Sequence, residues 1–175
     1  MLCCAWMMIS STGCGPMGGG APTSFTSPDG RIIITTPAGW EKGTFKSELG
    51  KIRISNPAKH GYGIVIIENK ADLKDGLTLS GYAKIILKLA DKKTAATGTT
   101  EDRTVSEPST LTINGYPATR YEIRATVQNT KFVYSRTFVQ TPDLFVQVLL
   151  WTVPSHFAED QPDFDSIAGS LKQVK

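Results

Sequence analysis

Apolar and polar positions change their rhythm several times along this chain, and each change marks an element. Ile32-Ile33-Ile34-Thr35-Thr36 is a β-branched run halted by Pro37-Ala38-Gly39-Trp40, which predicts a strand and a turn. Lys51-Ile52-Arg53-Ile54-Ser55 alternates with period two up to Asn56-Pro57, and the apolar run Gly63 to Glu68 predicts a strand covered on both faces. A polar connection over 72–78 follows. From Thr78 to Asp91 the rhythm becomes helical: Leu79, Tyr82, Ala83, Ile86 and Ala90 recur at three and four, with Ile85 and Leu87 widening the stripe. Residues 95–100 predict a loop and Thr104 to Ser106 a short edge strand.

Asn114-Gly115 between Leu111-Thr112-Ile113 and the Tyr116 to Val127 segment is a strong hairpin signal. In that second strand Tyr121, Ile123, Ala125 and Val127 share one side, and Arg120, Glu122 and Arg124 the other. Two further strands, KFVYSRTFVQ and LFVQVLLWT, carry large apolar groups on both sides. A sheet wet on one face does not look like this, so layers must cover both faces. The 161–170 segment predicts the closing helix, with Pro162 in its first turn and Phe164, Ile167, Ala168 and Leu171 turned inward. The expected class is α+β: an α/β/α sandwich with a central, mostly antiparallel sheet and helices on both faces.

Composition sharpens the domain boundaries. The first 28 of the 175 residues carry no charged side chain, whereas the rest has ordinary globular composition. The formal net charge is only +3, without a dense basic run, which argues against nucleic acid as a partner. All three cysteines, Cys3, Cys4 and Cys14, lie in the uncharged leader. The body therefore has no disulfide, thiolate nucleophile or cysteine metal ligand. The apolar start MLCCAWMMIS spans about ten residues, short of the roughly 20 needed to cross a bilayer.

Ser11-Thr12-Gly13-Cys14 resembles the end of a bacterial lipoprotein signal, in which a small residue precedes a lipidated cysteine; Gly13 and Cys14 match, and Ser11 departs from the usual aliphatic residue. The expected organisation is a leader over 1–14, a flexible Gly/Pro tether over 15–24 and a folded domain over 25–175. The literal G-x-G-x-x-G at Gly13, Gly15 and Gly18 has no preceding strand and carries no dinucleotide reading.

The ordered set Phe25-Thr26-Ser27-Pro28-Asp29-Gly30, the Ile32 to Ile34 strand, Pro37-Ala38-Gly39-Trp40, the Leu79 to Leu89 helix, Asn114-Gly115 with Ala118, and Ile167-Ala168-Gly169-Ser170-Leu171-Lys172 resembles the Mog1/PsbP-like superfamily, nearest its bacterial DcrB-like lipoproteins. The resemblance implies an α/β/α sandwich, a mostly non-enzymatic family and lipid tethering in bacteria. Its members' partner-contacting positions do not carry over residue by residue, and no cofactor is implied.

Candidate chemistry is sparse. His60 and His156 are the only histidines. With Glu159, Asp160, Asp163 and Asp165 they raise a divalent-metal reading, against which helix capping by the acids is the simpler account. Ser155-His156 raises a hydrolase reading, but neighbours in sequence rarely aim at each other and G-x-S-x-G is absent. Trp40 is expected to plug the core. His60 and Tyr62, in glycine-flanked loop sequence, make a candidate binding rim with the 56–63 and 69–78 loops. Arg120, Glu122, Arg124 and Arg136 make a candidate charged recognition strip, which as a bland alternative is only a supporting charge ladder. Three functions follow for test: a lipid-anchored envelope protein with a binding or structural role, a soluble cytoplasmic protein-binding module, and a small hydrolase or metal-dependent enzyme.

Overall fold

The computed structural model describes residues 20–97 and 100–174. Eleven strands and two helices follow in chain order. Strands β1 (Thr23–Thr26), β2 (Ile32–Thr36), β3 (Glu41–Lys42), β4 (Ile52–Asn56) and β5 (Gly61–Asn69) precede helix α1 (Leu79–Thr97). Then come β6 (Thr100–Val105), β7 (Ser109–Ile113), β8 (Tyr116–Val127), β9 (Thr130–Gln140), β10 (Leu144–Thr152), helix α2 (Phe157–Gly169) and β11 (Lys172–Gln173). The large sheet runs β3-β4-β5-β10-β9-β8-β6, with β7 also on β8, and every pairing is antiparallel. The expected sandwich is present, with α1 on one face of this sheet and α2 on the other.

The α2 face has a second cover. β1, β2 and β11 form a separate three-stranded sheet, so the Ile32 to Ile34 strand is not part of the central sheet. Ile32 and Ile34 pack with Val146, Val148, Leu150, Phe164, Ile167 and Leu171 in one fully buried core. Ser170 Oγ fastens the layers, accepting from the Thr35 N–H at 2.8 Å and donating to the Thr35 carbonyl at 2.9 Å. Val133, Val139 and Val148 are buried, as two-sided cover requires.

Local chemistry fixes the turns. Asn114 and Gly115 both have positive φ, as a type I′ hairpin demands. Gln128 and Asn129 do the same between β8 and β9, placing Val127 opposite Thr130. Thr78 caps α1, its hydroxyl accepting from the Gly81 N–H at 3.1 Å.

The helix boundaries differ from the sequence expectation. α1 continues through Thr97, into the first half of the expected loop, and Ile85 is 49 % exposed rather than part of the buried stripe. α2 begins at Phe157, which leaves Pro162 inside the helix. β1 starts at Thr23, two residues ahead of the expected boundary at Phe25. Cys14, the 1–14 leader and residues 15–19 of the 15–24 tether lie outside the described residues.

Candidate functional site

The two faces of the large sheet are finished differently. On the α2 face the centre of the core is closely packed, and clefts of about 360 and 470 Å³ open only toward its β8 side. Trp40 is buried and meets Phe164 edge to face at 6.2 Å, and its Nε1 donates to Asp163 Oδ2 at 3.1 Å. Trp40 is a core plug, as expected.

On the α1 face, cover loosens after the first turns of the helix. Tyr82 stacks on Phe145 with ring centroids 4.4 Å apart, and Ala83 beside it is fully buried. One turn later Ile86 and Leu87 are only half-buried, and Leu89 is 50 % exposed. Two adjoining cavities, of about 270 and 160 Å³, lie between this part of α1 and the sheet. Leu49, Ile66, Ile86 and Leu89 line the larger; Ile123, Ala125, Tyr134 and Leu149 line the smaller. Arg136 and Ala90 line both.

A polar network forms the floor. Arg136 Nε donates to Gln147 Oε1 at 3.1 Å, and Gln147 Nε2 donates to the Tyr82 hydroxyl at 2.6 Å and to Glu68 Oε2 at 3.1 Å. The Tyr82 hydroxyl also donates to Glu68. Burial, followed by that carboxylate, drives the Tyr82 phenol well above its ordinary range. Desolvation lowers the Arg136 guanidinium to about 10, and the Arg103 charge adds to the shift. Arg136 thus stays cationic at neutral pH, connected to Glu68 through an amide.

Beyond the helix, cross-strand register builds an aromatic row. Tyr62 of β5 stands opposite Trp151 of β10, which stands opposite Tyr134 of β9. Tyr62 and Trp151 stack at 5.8 Å, and Tyr134 lies 6.3 Å from Trp151. Phe45 closes edge to face on Trp151 at 5.5 Å, while Arg53 Nη1 donates to the Phe45 carbonyl at 3.3 Å and holds that segment down. All four rings are half-buried.

The candidate residues read from sequence regroup accordingly. Tyr62 lies inside β5 rather than in a loop, because its two glycines serve packing. A Cβ on Gly61 would meet Trp40 Cη2 at 3.0 Å, and one on Gly63 would strike Leu150. Arg136 pairs in register with Tyr121, so it projects to the α1 face. Arg120, Glu122 and Arg124 stand opposite Thr137, Ser135 and Val133 and belong to the α2 face. The four do not form one strip. Arg120 pairs with Asp165 of α2, Arg124 with Glu122 at 2.8 Å, and Arg124 also lies over the Phe157 ring.

His60 and His156, far apart in sequence, pack ring to ring at 5.3 Å where the turn before β5 meets the start of α2. Among the described residues neither has a hydrogen bond to a serine or a carboxylate, and no group of three His, Cys, Asp or Glu is placed to hold a metal ion. The acids do not cap α2 either, since no side chain makes a capping bond there. Asp163 instead accepts from Lys59 Nζ at 3.1 Å, and Asp165 is spent on Arg120. Asp160 is fully buried, and desolvation raises its carboxyl above the usual range.

The same architecture occurs in solved structures. Cyanobacterial PsbP (CyanoP) from Synechocystis is 14 % identical with a TM-score of 0.66, the match covering 94 % of this chain and 99 % of that one. LpqN, involved in cell envelope biogenesis of Mycobacterium tuberculosis, is 13 % identical with a TM-score of 0.60, over 88 % and 91 % of the two chains. The chain shares the fold of these structures. PA94 of Pseudomonas aeruginosa, a protein of unknown function, shares it at 12 % identity and a TM-score of 0.53, over 89 % and 99 %. No family model and no curated protein matches the chain. At these identities the likeness fixes the arrangement of strands and helices, and the chain's role has to be argued from its own residues. No helix among the described residues is long and apolar enough to cross a membrane.

Proposed function

We propose that this chain is a non-catalytic, DcrB-like lipoprotein of the bacterial cell envelope, tethered on the periplasmic face through lipidated Cys14, whose domain binds a partner protein. The observation that carries the binding role is the half-exposed row Tyr62–Trp151–Tyr134 with Phe45 beside it. Large rings with polar tips, held rigidly by neighbouring strands, are the groups that dominate interface energetics. The uncharged Gly/Pro-rich 15–24 segment would give the domain reach from a membrane, and acyl chains on Cys14 would supply the anchor. LpqN's described part in envelope biogenesis supports the same address.

The test has two arms in the tethered, full-length protein. Labelled palmitate should enter the wild type and disappear in Cys14→Ser. A photo-crosslinking phenylalanine at position 62 should yield discrete protein adducts that Trp151→Ala removes, while the same probe at exposed Thr110 yields none. Absence of label overturns the tether. Adducts that form equally at positions 62 and 110, or none at 62, overturn the binding face.

A further inference from the structure

We propose that the groove between the sheet and Ile86, Leu89 and Ala90 of α1 binds a single-chain fatty acid, its carboxylate on the Arg103 side of Arg136 and its alkyl chain along the apolar walls of the larger cavity. The site shares Tyr134 with the aromatic row but not Tyr62, Trp151 or Phe45, and it does not depend on the tether.

Two features converge on this ligand. Arg136 is the charged residue common to both adjoining cavities, and Arg103 lines the smaller one with it. A cation set between apolar walls suits a ligand with one anionic group and a hydrocarbon body. The remaining walls are Ile66, Ile86, Leu89 and Leu49 on one side and Ile123, Ala125 and Leu149 on the other. Leu49 and Leu89, 57 % and 50 % exposed, stand at the mouth.

The charges set the headgroup. Glu68 also lines the larger cavity, but its Oε2 accepts from both Tyr82 and Gln147, which turns it into the floor. A second negative charge near Glu68 would be repelled, so a monoanion on the Arg103 side of Arg136 fits better than a dianionic phosphate. The surrounding backbone sets the tail. The groove lies over β5, β10, β9 and β8, each hydrogen-bonded to a strand on both sides. A bound peptide would find no free ladder for its amides, whereas an alkyl chain needs none.

The deciding experiment titrates full-length protein, purified without detergent, with sodium dodecanoate below its micelle concentration and follows heat by calorimetry. Saturable one-to-one binding is expected, weakened at least tenfold in Arg136→Gln. Dodecyltrimethylammonium, with the same chain and the opposite charge, should bind at least tenfold more weakly than dodecanoate. Leu89→Glu, at a half-exposed position where the fold tolerates polarity, should also weaken dodecanoate and serves if Arg136→Gln fails to fold. No saturable binding, equal affinity for the two amphiphiles, or unchanged affinity in Leu89→Glu and in a folded Arg136→Gln overturns the proposal. Loss of the position-62 crosslinks leaves this result untouched, so the two readings fail separately.

Discussion

The two faces of the same sheet are covered differently, and the difference lies in how the centre of each cover is anchored. On the α2 face, helix α2 and the β1-β2-β11 sheet close together over Val146, Val148 and Leu150, and Ser170 bonds directly to Thr35 between them. On the α1 face a single helix does the covering. It grips through Tyr82 and Ala83 and then loosens over Ile86 and Leu89. Polar groups sort in the same way. The α2 face holds short ion pairs that join elements, such as Lys59 to Asp163 and Arg120 to Asp165. The α1 face holds Arg136, which reaches an acid only through Gln147. The doubly anchored layer buries its centre completely; the singly anchored helix leaves Ile86 and Leu87 half-buried.

Substitutions should expose that asymmetry. Phe164→Ala in the sealed core is expected to cost about 3–5 kcal/mol, read by chemical denaturation. Gly63→Ala pushes a methyl group against Leu150 and should cost about 1–3 kcal/mol by the same measurement. Leu89→Ala on the loose half of α1 should fall within about 0.5 kcal/mol of wild type. A Leu89→Ala cost approaching that of Phe164→Ala would erase the contrast between the faces.

A pH titration sharpens the sealed side. Asp160 is buried against Thr152 without a hydrogen bond of ordinary geometry. Burial raises its folded pKa above the ordinary 3.8, so the folded state holds the proton more tightly than the unfolded chain. Its contribution is therefore fully favourable below pH 3.8 and declines as pH rises through the raised value. Asp160→Asn should melt higher than wild type at pH 7, recovering part of the roughly 1–3 kcal/mol that a poorly satisfied buried polar group costs. At pH 3 the two proteins should melt alike. The smallest effect belongs to the Arg120–Asp165 pair, whose acid is half exposed; a double-mutant cycle should give about 0–1 kcal/mol.

Much of this fold is legible in local sequence chemistry. Asn114-Gly115 specifies its turn unaided, and the two-sided apolar content of β9 and β10 demands cover on both faces. Arg136 shows where local reading stops. Its parity with Phe138 within β9 assigns it to Phe138's face, but its relation to Arg120 depends on the Gln128-Asn129 turn, which sets the register between strands. The glycines around Tyr62 suggest a loop because sequence cannot show the Trp40 and Leu150 side chains that need their space. The small sheet joins β2 to β11 from opposite ends of the domain, and the His60–His156 contact likewise has no local signal. Long-range pairings of this kind come from the assembled core rather than from any one segment.

The contrast between the faces can be read from two tryptophans in one protein. With Trp6→Phe as background, single-tryptophan variants retaining either Trp40 or Trp151 can be compared by acrylamide quenching of fluorescence. The account predicts that Trp40 is protected and that Trp151 is quenched several-fold more strongly. Equal quenching, or a better-protected Trp151, would contradict it.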